Sequence, residues 1–264
     1  MERLAPSKGD PVSLTALVLA GSRPGAPDPI AQGEGVAHKV LATVEGQTLL
    51  ERVVLALRES SAERIAVSAN DPEVEAEARR LGTIVLPTAR GPSESVALGF
   101  ERFGAPLLVT TGDHPLLQAA WVEEIVEGTP PGADVSLMLA RRDRVEAAAP
   151  GTRRTWLTFA DGQWSGCNLF LLASPSAERA IAAWKQVEAD RKRPWRIARR
   201  LGIGTLWSYW RGKLTLAEAI DRLANTLGVS AVLVRASDGR AAIDVDKQDD
   251  LALVRSLARS AYRK

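Results

Sequence analysis

The chain has 264 residues, with 34 Lys and Arg against 32 Asp and Glu, a formal charge of +2; this near-balance offers no global basic field for nucleic acid. Hydrophobic residues make up 45% and charged residues 25%, which is ordinary for a soluble globular protein and long enough for one large α/β domain or two small ones. Cys167 is the single cysteine, so an internal disulfide and a cysteine-built metal site are excluded, and the chain suits a reducing cytoplasm.

Met1 to Asp10 is polar and lacks the apolar run of a secretory signal, so residues 1–14 read as a loose leader. Ala16-Leu17-Val18-Leu19 is too short for a membrane span and suits a buried parallel strand. It stops at Ala20-Gly21-Ser22-Arg23-Pro24-Gly25. Glycine there lets backbone N–H groups approach a ligand, successive N–H groups make a concave anion site, and Arg23 adds a fixed positive charge. Lys39, past a polar loop, can reach the same anion as a point charge. A polyphosphate is the simplest ligand, although neither Gly-Lys-Ser/Thr nor Gly-x-Gly-x-x-Gly is present.

Residues 42–47 read as a short extended piece and turn. Thr48 with Glu51 makes a capping-box pattern, and Leu49, Leu50, Val53, Val54 and Leu57 then fall on one helical face. Ile65 to Ser68 is a second strand, Asp71-Pro72 opens a helix ending near Gly82, and Thr83 to Leu86 is a third strand. This β-α-β-α-β alternation predicts an α/β fold, a Rossmann-like three-layer α/β/α arrangement with a mostly parallel central sheet. Gly91-Pro92-Ser93-Glu94-Ser95 reads as a polar turn before a helix over Val96 to Phe103. The fourth strand, Leu107 to Thr111, runs into Gly112-Asp113-His114-Pro115. A helix bearing Leu117, Val122, Ile125 and Val126 follows, and Val135 to Ala140 is a fifth strand. Arg141 to Arg154 is charged and reads as a loop or short excursion. Thr155 to Phe159 alternates as a strand, Asp161-Gly162 signals a hairpin turn, and Ser165-Gly166-Cys167-Asn168 precedes a strand over Leu169 to Leu172. Ser174-Pro175 caps a helix toward Arg191, and a helical insertion is expected over about 176–228 within a single domain, 15–264. Thr215 with Glu218 is a second capping box, Ala231 to Arg235 and Ala241 to Val245 read as strands, and Asp246 caps a final amphipathic helix.

In an open parallel sheet, ligands gather beyond the carboxyl ends of the strands, which points to the loops after Leu19, Leu86 and Thr111. Asp113 can there hold Mg²⁺ against phosphate oxygens, or simply cap the next helix. Asp244 and Asp246 are two apart at the end of an expected strand, so both carboxylates can face one site as metal ligands. Ser93 and Ser95 either hydrogen-bond a base or ribose or make the turn. His38 and His114 show no partner and read as non-catalytic, and Cys167 reads as packing rather than as a nucleophile.

Taken together, Leu19-Ala20-Gly21-Ser22-Arg23-x-Gly25, Lys39, Gly91 to Gly99, Gly112-Asp113-His114-Pro115, Gly166-Cys167-Asn168 and Asp244-Val245-Asp246 resemble the MobA-like nucleotidyltransferases, over about Ala16 to Leu257. The resemblance implies a GT-A-like fold and transfer of NMP from an NTP, CTP or GTP, onto a phosphorylated small-molecule acceptor with release of pyrophosphate. It implies that the loop through Leu19, Ala20, Gly21, Ser22, Arg23 and Gly25 holds the triphosphate and that Lys39 neutralises charge. It further implies that Asp113 in its Gly112 turn binds Mg²⁺, that Gly91, Ser93 and Ser95 lie near the nucleoside, and that Asn168 lies on the acceptor side. The Arg23–Lys39 loop is longer than is usual in that family and either alters the phosphate grip or folds over the ligand as a lid. The residues' own chemistry agrees: an acceptor phosphate is already anionic and needs no strong base, so positioning and charge neutralisation by Mg²⁺, Arg23 and Lys39 suffice. The competing reading is a non-catalytic nucleotide-binding or scaffold protein with a degenerate phosphate loop.

Residues 184–214 interleave Trp184, Trp195, Trp207, Tyr209 and Trp210 with nine Lys or Arg residues. They read as an interfacial surface for the cytoplasmic face of a membrane, as a helical subdomain or homodimer contact with a solvated basic face, or, third and without a recognised module, as a nucleic-acid contact.

Overall fold

A computed structural model describes residues 13–22, 25, 28–189 and 203–261; Arg23, Pro24, nearly all of the expected leader and residues 190–202, including Trp195, lie outside the described residues. The chain opens with β1 (Thr15–Leu19), followed by α1 (Pro29–Glu34), the pair β2 (Thr43–Val44) and β3 (Gln47–Thr48), and α2 (Leu49–Arg58). Next come β4 (Arg64–Ala69), α3 (Pro72–Arg80), β5 (Ile84–Pro87), α4 (Pro92–Phe103), β6 (Leu107–Thr111), α5 (Ala119–Glu127) and β7 (Val135–Arg141). The second half adds α6 (Arg142–Ala148), β8 (Leu157–Phe159), β9 (Gly162–Leu172), α7 (Ala177–Ala189), α8 (Ile203–Trp210), α9 (Leu216–Leu227), β10 (Ala231–Arg235) and α10 (Gln248–Ala261).

The main sheet runs β10-β7-β9-β6-β1-β4-β5, with β8 paired to β9. β1 lies parallel to both β4 and β6, β4 parallel to β5, and β7 parallel to β10, whereas β9 is antiparallel to β6, β7 and β8. The parallel core is as the alternation predicts, and the loops leaving β1, β5 and β6 emerge at one end. Successive β1 residues face opposite layers. Ala16 and Val18 pack with Val53, Val54, Val122, Ile125, Leu251 and Val254 from α2, α5 and α10, while Leu17 packs with Val96 of α4 and Ala177 and Ile181 of α7. The result is the expected three-layer α/β/α arrangement with the sheet in the middle.

Several elements differ from the expectation, each for a visible reason. The helix assigned to Val96 onward begins at Pro92, because the Glu188 carboxylate of α7 accepts hydrogen bonds from Ser93 N (3.1 Å) and Ser93 Oγ (2.5 Å), a cap that Gly91 has no side chain to supply. β9 spans eleven residues rather than four. It crosses a register shift opposite Leu137 and Leu139, with Asn168 in a left-handed conformation (φ 48°), and this bulge interrupts the alternation that marks a strand. The charged run after Arg141 contains α6. Ala241 to Val245 is no strand: Gly239–Ala242 is a 3₁₀ turn capped by the Asp238 carboxylate on Arg240 N (2.9 Å), and its apolar residues are buried without alternation. Thr48 caps α2 through Glu51 N (2.9 Å), but the Glu51 carboxylate turns to Arg80 (3.2 Å) and does not complete the box. The loop before Lys39 is docked from Asp28 onward: Asp28 caps α1, Ile30 is fully buried, and Glu34 pairs with Arg255 of α10 (2.5 Å).

Candidate active site

The site lies beyond the carboxyl ends of β1, β6 and β5. Leaving β1, Ala20 N still donates to Ser68 O (2.9 Å). A side chain at the next residue, Gly21, would place Cβ 2.5 Å from Thr88 Cγ2, so only glycine lets the chain lie against the loop after β5. Asn70, just past β4, fixes the next residue from both sides: its Oδ1 accepts from Ser22 N (3.0 Å) and its Nδ2 donates to Ser22 O (3.0 Å). Gly112 N donates to Leu19 O (2.8 Å), and a Cβ there would stand 3.1 Å from Val40 Cγ1, which brings the Lys39–Leu41 turn against the end of β6. His38 starts that turn, its Nδ1 accepting from Val40 N (3.2 Å). Burial holds the His38 imidazole below its ordinary pKa, despite the opposing charge of Asp28, and so keeps Nδ1 an acceptor.

These contacts deliver Lys39 to two carboxylates. Its Nζ lies 2.5 Å from Asp113 Oδ2 and 2.9 Å from Asp246 Oδ1, and donates to Val245 O (3.2 Å). Val245 N in turn donates to Asp113 O (2.8 Å), stitching the segment before α10 to the turn after β6. Burial alone would lower the lysine pKa; the charges of Asp113 and then Asp246 outweigh it and raise the pKa well above the usual value. The ammonium therefore stays charged throughout the neutral range.

Asp244 faces a different group. Arg154, itself almost fully buried, pairs with Asp244 Oδ1, donates to Asp244 O (2.9 Å) and reaches Asp250 Oδ1 (3.2 Å). Asn168 Nδ2 donates to Asp244 Oδ2 (2.7 Å) from the β9 bulge. Burial, helped by the negative charge of Asp113, raises the Asp244 pKa against the pull of Arg154. The structure thus sends Asp246 to Lys39 and Asp244 to Arg154 and Asn168. Asp246 is not the cap of α10 either: its own N–H and that of Lys247 donate to Asp250 Oδ2 (3.2 and 3.0 Å).

The remaining sequence candidates divide. Leu19, Ala20, Gly21, Ser22, Gly112, Lys39 and Asp113 come together around the end of β1. Gly25 is described, with φ 76° and open space around it, whereas Arg23 lies outside the described residues. Ser93 and Ser95 are buried in the first turn of α4, where Ser93 binds Glu188 and Ser95 Oγ accepts from Ala89 N (3.0 Å). They shape the loop after β5, where a cavity of about 280 Å³ is lined by Arg90, Gly91, Ser93, Glu94, Lys185 and Glu188. Cys167 is buried, and burial pushes its thiol pKa far up, as packing requires. Asn70 and Arg154 escape the sequence reading, and His38, expected to lack a partner, caps the turn that carries Lys39.

Among the described residues, no three His, Cys, Asp or Glu side chains group as a metal cage. Magnesium does not need one, since it takes one or two protein carboxylates and completes its shell with water and phosphate oxygens. Asp113 meets that demand. Its Oδ1 is buried with no hydrogen-bond partner while Oδ2 holds Lys39, and Asp246 lies across the same ammonium.

The mostly parallel α/β sheet is the fold of the nucleotidyltransferases, and the protein is an enzyme of that class. Residues 16–206 match the model of the MobA-like NTP transferase domain, and the chain belongs to that family. Its enzymatic membership decides against the non-catalytic alternative. The structure is similar to that of a hypothetical transferase from Thermus thermophilus, at 31% identity over 90% of this chain and 98% of the other, with a TM-score of 0.77. It shares the fold of a nucleotidyl transferase from Methanothermobacter (19% identity, 94% of this chain and 99% of that one, TM-score 0.57). It also shares the fold of a CMP:2-keto-3-deoxy-manno-octonic acid synthetase in complex with CTP (15% identity, 94% and 99%, TM-score 0.59). No curated protein matches the sequence.

Proposed function

We propose that the enzyme moves NMP from CTP or GTP onto a phosphorylated small-molecule acceptor and releases pyrophosphate, with Mg²⁺ held by Asp113 and Asp246. The observation that carries this reading is the Lys39 ammonium seated between those two carboxylates, beside Gly21. A cation already stands where carboxylates and phosphates would meet, and Asp113 Oδ1 has coordination capacity to spare. Magnesium bound there would neutralise charge on the α-phosphate and the departing pyrophosphate. The chain's own residues do the rest. Asn70 fixes Ser22 through both of its backbone groups and so presents the neighbouring Gly21 N–H to phosphate oxygens. Lys39 would supply a permanent positive charge to the triphosphate, in company with Arg23. Attack by the anionic acceptor on the α-phosphorus needs alignment rather than a base. The loop after β5 receives the nucleoside, and the Arg154–Asp244–Asn168 group stiffens the acceptor side.

Pyrophosphate release, measured with each NTP over a panel of phosphorylated acceptors, tests this. Wild type should turn over with CTP or GTP only when Mg²⁺ is supplied, and Asp113→Ala should lose at least about 100-fold in turnover with its melting temperature retained. Unchanged turnover in Asp113→Ala would contradict the assignment.

A further inference from the structure

Arg154 belongs to no strand or helix: it leaves the segment between α6 and β8, yet its side chain is only 7% exposed. Its guanidinium is spent on the stretch that leads into α10. It pairs with Asp244 Oδ1, donates to Asp244 O (2.9 Å) and reaches Asp250 Oδ1 (3.2 Å), while Nε donates to Thr152 Oγ1 (3.3 Å). The second Asp250 oxygen, Oδ2, accepts from the N–H groups of Asp246 (3.2 Å) and Lys247 (3.0 Å). A run of bonds thus leads from a buried guanidinium through Asp250 to the backbone of Asp246. Val245 N, donating to Asp113 O (2.8 Å), anchors the same stretch from the other side. The Asp246 carboxylate is itself 60% exposed, so its direction is set by the backbone that carries it and by Lys39 rather than by close packing. Four carboxylates, Asp113, Asp244, Asp246 and Asp250, are joined by two cations, Lys39 and Arg154, an excess of two negative charges. One divalent cation cancels that excess.

We infer that Arg154 is a positioning residue for the metal: through Asp250 it holds Asp246 where a divalent cation seated on Asp113 can reach both carboxylates. The inference rests on the Mg²⁺ site proposed above and adds the residue that sets its affinity. Arg154 is no ligand for the triphosphate, because it is buried and its N–H groups are already committed. Shape matters here as much as charge. The planar fork serves a carboxylate, a carbonyl and a second carboxylate at once, whereas a lysine ammonium is a point charge that cannot hold all three in that geometry. Without the guanidinium, Asp244 and Asp250 would be left largely buried and short of partners, and the stretch between them carries Asp246. Groups that orient a metal ligand in this way change metal affinity by about 10–100-fold when lost.

Mn²⁺ binding to the full chain without nucleotide, followed by water-proton relaxation, tests this apart from turnover. Wild type should bind the ion and Asp113→Ala should not, which fixes the site. Arg154→Lys keeps the positive charge and Asp250→Asn keeps the side-chain shape; each should weaken Mn²⁺ binding by about tenfold or more with the melting temperature retained. Because both variants break one run of bonds, the double variant should bind no more weakly than the weaker single one. If Asp113→Ala abolishes binding while Arg154→Lys and Asp250→Asn bind as wild type does, the inference is overturned and the metal site stands. If Mn²⁺ binding survives Asp113→Ala, the metal site and the inference fall together. The inference is overturned as well if the two losses multiply in the double variant, or if weaker binding comes with a lower melting temperature in both single variants.

Discussion

Lys39 reaches Asp113 and Asp246 because His38 caps the turn in front of it and Gly112 leaves room for Val40 behind it. A second histidine, beside Asp113, stays neutral. His114 is wholly buried against Trp121, and burial pushes its pKa down to about 4, more than the Asp113 charge lifts it. Its unfolded value is near 6.5, so between those values the unfolded chain binds the extra proton. The stability held by neutral His114 is therefore complete above about pH 6.5 and is lost as pH falls toward 4, by about 3 kcal/mol in all. Urea unfolding of wild type and His114→Phe across this range checks it: the wild-type stability should fall more steeply by that amount, and parallel curves would refute it. At this scale Asp113 is legible in the sequence from its residue type and its place just after β6. Lys39 and Asp246 stand out instead through the family resemblance, one lying in a 3₁₀ turn after a loop and the other after a 3₁₀ turn where a strand is expected. Asn70 and Arg154 are not legible, since each acts on a partner 48 or 90 residues away that only the fold brings near.

Among the elements, local signals that repeat over a turn are the legible ones. Thr215 and Glu218 make a full reciprocal capping box on α9, as their spacing predicts, with Gly228 closing the far end in a left-handed conformation. Thr215→Ala should therefore cost about 1 kcal/mol and lower the melting temperature by roughly 2–4 °C, measured by calorimetry; an unchanged transition would mean that the cap contributes nothing. The start of α4 is illegible for the opposite reason, because its cap is Glu188 of α7 and not a neighbour in sequence. The same bond ties α7 to the loop after β5. β9 is half hidden because a bulge at Asn168 breaks its alternation, and that irregularity is what turns Asn168 toward Asp244. The Ala241–Val245 run misleads because it is buried all round, and a wholly buried run carries no period to read.

For the molecule as a whole, the strand order places β6 and β5 on opposite sides of the β1–β4 pair. Asp113 at the end of β6 and the loop after β5 thus stand about three strand spacings apart, roughly 14 Å, with Gly21 between them. In the proposed mode, a nucleoside triphosphate laid along this edge would have its phosphates at Lys39 and its base toward Arg90 and Gly91. The alternation of strands and helices makes the three layers legible from the sequence, but the antiparallel insertion of β9 between β6 and β7 is not, because pairing order has no local signal. The most direct test is a crystal structure with a non-hydrolysable NTP and Mn²⁺ in place of Mg²⁺. Anomalous scattering should put the metal within coordination distance of Asp113 and Asp246, with Lys39 turned to the triphosphate beside Gly21; a metal and triphosphate bound away from Asp113 would contradict the account.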